Sequence, residues 1–441
     1  MLIDYLATTD ALSEAFSDRA VLQAMLDFEA ALAAAEARLG IIPQQAADAI
    51  RTAADAKHFD AAAIARDGRA QSTISIPLVK ALTARVKEND PDSARFVHLG
   101  ATSQDVADTA MVQLLKRAEP ILASDHDRLE SALRTLSDRH ANTVMLGRTL
   151  LQPAPPITFG LKAAGWVAAL ASGWRRLHQS FAETKVLQFG GASGTLAALG
   201  DRGLDVAQAL AAELKLDVPP GPWHTNRDRL AALVAACGIY TGTLGKIAGD
   251  IALLMQDEVG EAAEPGSGSS TMPHKRNAAG CVVTIAAATR VPGLVASFLT
   301  GMAQEHERGA GRWQAEWPTL AATVQSTGAA LASLASAIGG LSVDSERMRQ
   351  NIERTNGAIF AERVIALAAP KAGKDAAQAL VAAALSRSRE SGKSFRDGLM
   401  SSPDASRWLS DEDLNTIDSP EQYLGSAESL RQRLLSWRPE R

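Results

Sequence analysis

The sequence predicts an all-α protein built around a central bundle of long helices, and three features lead there. Alanine, the best helix former, is heavily over-represented while aromatics make up only 5% of residues, a bias that points to helix. Apolar residues recur with helical periodicity over 21–39, 121–140, 157–177, 227–259 and 279–302, whereas alternating strand-like runs are hard to find. The stretch from 227 runs for about thirty residues without a proline and carries small residues at a repeating interval: Ala231, Ala235, Gly238, Gly242, Gly245, Gly249 and Ala252.

Steps of four and three alternate along that stripe, a mean of about 3.5 residues that keeps one helix face toward a partner. Each glycine inside a helix costs roughly 1 kcal/mol relative to alanine, so the stripe implies close backbone packing that offsets the penalty. A helix of this length spans on the order of 45 Å, which suggests assembly between subunits; a bundle within one chain is the plainer alternative. Proline and glycine clusters divide the chain into an N-terminal helical part (1–109), a central bundle (110–341) and a C-terminal helical part (342–441).

Composition excludes several function classes. A net charge of −5 with scattered Lys and Arg argues against a nucleic-acid partner. Residues 1–10 hold Asp4 and Asp10 but neither a basic cluster nor an apolar core of signal length, and no stretch reaches about 18 unbroken apolar residues. A cytoplasmic protein with no membrane partner is therefore expected. Cys237 and Cys281 are the two cysteines, with no CxxC pattern, so they read as buried reduced thiols rather than a disulfide or a thiolate metal site.

Three segments could carry chemistry. The first is Gly266-Ser267-Gly268-Ser269-Ser270-Thr271-Met272-Pro273-His274-Lys275-Arg276-Asn277, between two helical stretches. Pro273 suits a first helical position, so Lys275 is expected in the first turn, where a cation, the helix dipole and unpaired N–H groups favour an anion. On composition alone the segment reads equally as a Ser/Gly linker before an ordinary helix start. The second is His98-Leu99-Gly100-Ala101-Thr102-Ser103-Gln104-Asp105, in which Thr102 and Asp105 alone could be a capping box. The third is Gly147-Arg148-Thr149-Leu150-Leu151-Gln152-Pro153-Ala154.

The first segment closely resembles the GSSxMPxKxN signature of the fumarase/aspartase superfamily, and the second resembles that superfamily's TSxD segment. Within it, Pro156-Ile157-Thr158-Phe159-Gly160-Leu161, Trp223-His224-Thr225-Asn226-Arg227-Asp228-Arg229 and the run from Glu305-His306-Glu307-Arg308 to Trp313-Gln314-Ala315-Glu316-Trp317 look like the cycloisomerase branch. The resemblance covers roughly residues 15–400 and implies the three-domain fold of the superfamily. It also implies a homotetramer whose active sites are shared between subunits, and no cofactor or metal.

What the resemblance implies for residues is specific. Ser269 becomes the proton-transfer residue, with His98 as the alternative, and Lys275 and Asn277 face substrate carboxylates. Thr102, Ser103, Arg148, Thr149, Gln152, Arg227, Ser270, Met272 and Arg308 become substrate-binding candidates. Leu150 stands where the lyases of the superfamily carry His, and it cannot relay a proton, which argues against their leaving-group chemistry. The chemistry implied is addition of a small polycarboxylate's own carboxylate across a neighbouring double bond. A fumarate-releasing lyase is the alternative, and an inactive crystallin-like homologue a distant one.

Overall fold

The computed structural model describes residues 2–266, 272 and 275–438. Helix accounts for 72% of the chain and strand for 5%, which is the expected all-α class. The long helices are Asp18–Arg38, Ser103–Arg139, Phe159–Thr184, Asp228–Leu254, Ala279–Thr300 and Arg312–Gly339. Local chemistry starts many of the helices: Ser17 and Asp60 cap by accepting backbone N–H groups, and Ser394 with Asp397 and Ser410 with Asp413 form capping boxes. Contacts divide the chain into two compact units, each assembled from separated segments.

The first unit comprises Met1–Asp127, Gly173–Gly245 and Val283–Leu334. Helix Asp18–Arg38 buries Leu22, Met25, Leu26 and Leu32, which share one face, and packs on Gln44–Ala53 and Gly203–Leu214. The small-residue stripe divides its work. A Cβ on Gly238 would lie 2.8 Å from Val295 Cγ2 and one on Gly245 2.5 Å from Ala288 Cβ, so these two glycines seat Asp228–Leu254 against Ala279–Thr300. A Cβ on Gly242 or Gly249 would meet nothing within 4 Å among the described residues, so the alternate positions of the stripe face open space in a single chain.

Both Asp228–Leu254 and Ala279–Thr300 are long and apolar enough to cross a membrane by length and composition. The most apolar stretch of the first is 56% buried inside the chain but that of the second only 22%, so the second leaves most of its apolar surface uncovered.

The second unit comprises Arg128–Ser172, Lys246–Val282 and Ala335–Arg441. Its C-terminal helices enclose a core that includes Val364, Leu380, Phe395, Leu399, Leu414 and Ile417. Where strand signals looked scarce, Val144–Thr149 and Gln152–Thr158 form an antiparallel hairpin with a bulge between Leu146 and Gly147. Its two-residue turn is Leu150-Leu151, and both residues have positive φ, 51° and 65°. That geometry normally selects Asn-Gly. Both leucines are exposed, Leu150 by 96%.

Candidate active site

In the first unit the segment preceding helix Ser103–Arg139 is held by one carboxylate. Asp105, wholly buried, accepts from the backbone N–H groups of Thr102, Gly190 and Gly191 and pairs with Gln188 Nε2 and His224 Nε2. The Thr102–Asp105 contact is one half of a capping box, the structural reading of this segment. Fixed in this way, Thr102 and Ser103 turn their hydroxyls toward Arg308. Its Nη1 donates to Thr102 Oγ1 at 2.6 Å, its Nη2 to Ser103 Oγ at 3.2 Å and its Nε to Gln104 Oε1 at 3.2 Å.

All three bonds end on neutral oxygens, and no carboxylate pairs with Arg308 among the described residues. A hydroxyl that accepts through a lone pair still has its own O–H to donate. Two O–H donors beside an uncompensated guanidinium make a receptor for a carboxylate. His98 stands at the entry to this turn on a left-handed backbone, φ 64°, with Nδ1 2.7 Å from Glu29 Oε1.

A cavity of about 590 Å³ opens one helical turn further on, lined by Thr73, Ile74, Ala107, Trp313, Gln314 and Trp317 among others. Ser75 Oγ donates to the Ser103 carbonyl and ties the cavity wall to the Thr102 turn. Two indoles give the cavity flat apolar faces, suited to a planar unsaturated carbon skeleton.

Arg227 departs from its expected role. It is 2% exposed, and its donors go to Asp108 and Glu316, both buried, and to the Trp223 carbonyl, with the Trp223 ring 4.7 Å away. Trp313 Nε1 adds a bond to Asp108. The flanking carboxylates hold the guanidinium well above its ordinary pKa, outweighing the burial that opposes them. No donor of Arg227 remains for a substrate, so it is a pin joining Ser103–Arg139, the start of Asp228–Leu254 and Arg312–Gly339.

In the second unit Arg148 projects from the hairpin and makes a bidentate pair with the wholly buried Glu261, at 2.9 and 2.6 Å, and Asn351 Nδ2 also donates to Glu261. Its fork is thus engaged within the fold rather than open to a ligand. Thr149 and Gln152 face each other across the hairpin beside the Leu150-Leu151 tip, and both are exposed.

Lys275, Asn277 and Met272 are exposed, with Lys275 N–H donating to the Met272 carbonyl. Ser269 and Ser270 lie outside the described residues, as does Pro273. The helix expected to open at Pro273 instead begins at Ala279, which places Lys275 ahead of it rather than in its first turn. Its cap is a distant carboxylate: Glu264 accepts from Gly280 and Cys281 N–H at 2.9 and 3.0 Å. An internal anion therefore occupies the donors expected to await a ligand.

The structure thus brings Thr102, Ser103 and Arg308 together in one unit, while Arg148, Thr149, Gln152, Met272, Lys275 and Asn277 belong to the other. Gln104, Glu29 and Glu264 escaped the reading of the sequence. Glu29 alone left a clear signal, a charged residue on the apolar face of its helix.

A family described as "Lyase" matches residues 4–293, and one described as "Adenylosuccinate lyase C-terminus" matches residues 357–434. The chain is 45% identical over 98% of its length to a 3-carboxy-cis,cis-muconate cycloisomerase of Bradyrhizobium diazoefficiens, 97% of which is covered. It is 46% identical over 96% of its length to one of Pseudomonas aeruginosa, 93% of which is covered. A crystal structure of 3-carboxy-cis,cis-muconate lactonizing enzyme from Pseudomonas putida superposes with a TM-score of 0.94 at 44% identity, covering 99% of this chain and 98% of that one. With likeness along nearly its whole length, the chain belongs to the fumarase/aspartase superfamily of lyases.

Proposed function

We propose that the protein interconverts 3-carboxy-cis,cis-muconate and 4-carboxymuconolactone, adding one of the substrate's own carboxylates across a double bond. The observation that carries the reading is Leu150 at the hairpin tip, in the place where the superfamily's lyases present His. Elimination of an amine or water needs an acid for the leaving group, and leucine supplies none. Intramolecular addition has no leaving group and draws on positioning instead. Near full-length likeness to proteins named for this reaction supports it.

In the forward direction a carboxylate oxygen forms a C–O bond at one alkene carbon. The π pair moves to the neighbouring carbon and its attached carboxylate, and that carbon then takes a proton. The intermediate carries an extra charge on carboxylate oxygens, and fixed donors meeting that charge are the main catalytic contribution. Arg308, with the Thr102 and Ser103 hydroxyls, serves as one such receptor, and Lys275 and Asn277 as another. Ser269 delivers the proton and recovers it in reverse.

The working form in this reading is a homotetramer with sites shared between subunits. Its support is the exposed apolar tip, the open half of the glycine stripe and the uncovered surface of Ala279–Thr300. Purified protein should abolish the diene absorbance of 3-carboxy-cis,cis-muconate and release no fumarate from adenylosuccinate, and Ser269→Ala should lose most turnover. Fumarate release with an unchanged diene spectrum would reverse the assignment.

A further inference from the structure

Helix Asp18–Arg38 buries two carboxyl groups among its alanines and leucines. Glu29 is 2% and Glu36 0% exposed, and seven residues apart they share one face. Their surroundings differ. Among the described residues neither oxygen of Glu36 has a hydrogen-bond partner, whereas Glu29 Oε1 sits 2.7 Å from His98 Nδ1 with Glu29 Oε2 unpartnered behind it. Burial, and next the Glu29 charge, push Glu36 up to about 8, so at neutral pH Glu36 keeps its proton. The negative charge of the pair faces His98.

His98 is itself unusual. Its backbone is left-handed, a conformation uncommon outside glycine and concentrated where structure serves function. The charged groups acting on its ring are Glu29 from Asp18–Arg38 and Asp105 from Ser103–Arg139. Burial works to lower its pKa, but the charge and hydrogen bond of Glu29, with the charge of Asp105, outweigh it and raise the value. A ring fixed through Nδ1 has its tautomer and orientation set, and Nε2 becomes the nitrogen that can meet a ligand.

We infer that Glu29 is a positioning residue for the reaction: it grips Nδ1 of His98 and favours the protonated ring, so that Nε2–H serves as a donor to a substrate carboxylate beside the Thr102 turn. The inference rests on the carboxylate-addition reading above. It gives His98 a binding role distinct from proton transfer by Ser269. Glu29 acts only through His98.

The test is Glu29→Gln in the full-length protein, with folding checked by circular dichroism. Removing the charge should raise KM for 3-carboxy-cis,cis-muconate at neutral pH roughly tenfold, the scale of one lost charge-assisted contact, with kcat changed far less. The alkaline limb of kcat/KM should move to lower pH, and Glu29→Asp should restore much of it. A double variant with His98→Asn should be no worse than His98→Asn alone. Nuclear magnetic resonance titration of the His98 ring, which needs no substrate, should show a lower pKa in Glu29→Gln than in the parent.

An unmoved alkaline limb, an unmoved ring titration or additive losses in the double variant would each overturn the inference. Should Glu29→Gln fail to fold, the ring titration of Glu29→Met, a side chain of similar size without charge, decides instead, an unmoved value counting against the inference. If the parent ignores 3-carboxy-cis,cis-muconate, the proposed reaction fails, while the ring titration still judges the Glu29–His98 link.

Discussion

Glu36 sets a pH dependence that a survey of surface charges would miss. Its carboxyl is held near 8 in the fold, against an ordinary 4.5. Below the ordinary value both folded and unfolded chains are protonated there and stability is unaffected. Between the two values the unfolded chain gives up the proton while the fold keeps it, which costs about 1.4 kcal/mol per pH unit until the fold also ionises. Glu36→Gln should therefore be more stable relative to the parent at pH 8 than at pH 5, by about 2–4 kcal/mol, in urea unfolding. Equal differences at the two pH values would show that Glu36 is not held neutral. Residues of this kind were legible in principle, since Glu29 and Glu36 continue the apolar spacing of Leu22, Met25, Leu26 and Leu32. The pairing of Arg227 with Asp108 and Glu316 was not, because residues 119 and 89 positions apart leave no local pattern.

The long helices were legible because their apolar periodicity is also their packing pattern, and 228–254 and 279–300 fall within a few residues of expectation. The hairpin was hidden by its own residues. Pro153, Pro155 and Pro156 lie in its second strand, and Leu150-Leu151 lacks any turn signature. Two leucines on a left-handed backbone cost roughly 1–2 kcal/mol each. Leu150→Asn with Leu151→Gly should therefore stabilise the fold by about 1–2 kcal/mol while reducing turnover, read from a melting curve beside the diene assay. A stabilised variant of full activity would show that the tip takes no part in the reaction. The late start of Ala279–Thr300 was equally concealed, since its cap comes from Glu264, well upstream, rather than from a neighbouring Ser or Asp. At the site, Thr102, Ser103 and Arg308 were legible through resemblance, but their convergence came only from the fold.

At the scale of the molecule, the two kinds of glycine in Asp228–Leu254 separate folding from association. Gly245→Ala places a methyl group against Ala288 and should destabilise the single chain by about 1–3 kcal/mol. A Cβ on the exposed Gly242 meets nothing within 4 Å among the described residues, so Gly242→Leu should leave the fold intact yet shift the proposed tetramer toward smaller species in sedimentation. An unchanged sedimentation profile would remove Gly242 from any seam. The segmented make-up of the first unit also bears on how the protein is born. Its opening part, Met1–Asp127, finds its last packing partners only when Val283–Leu334 has been made. At ribosomal speed the 207 residues separating 127 from 334 take roughly 10–40 s to emerge. During that interval the nascent chain carries uncovered leucine and alanine faces, a natural client for the chaperones that wait at the exit tunnel.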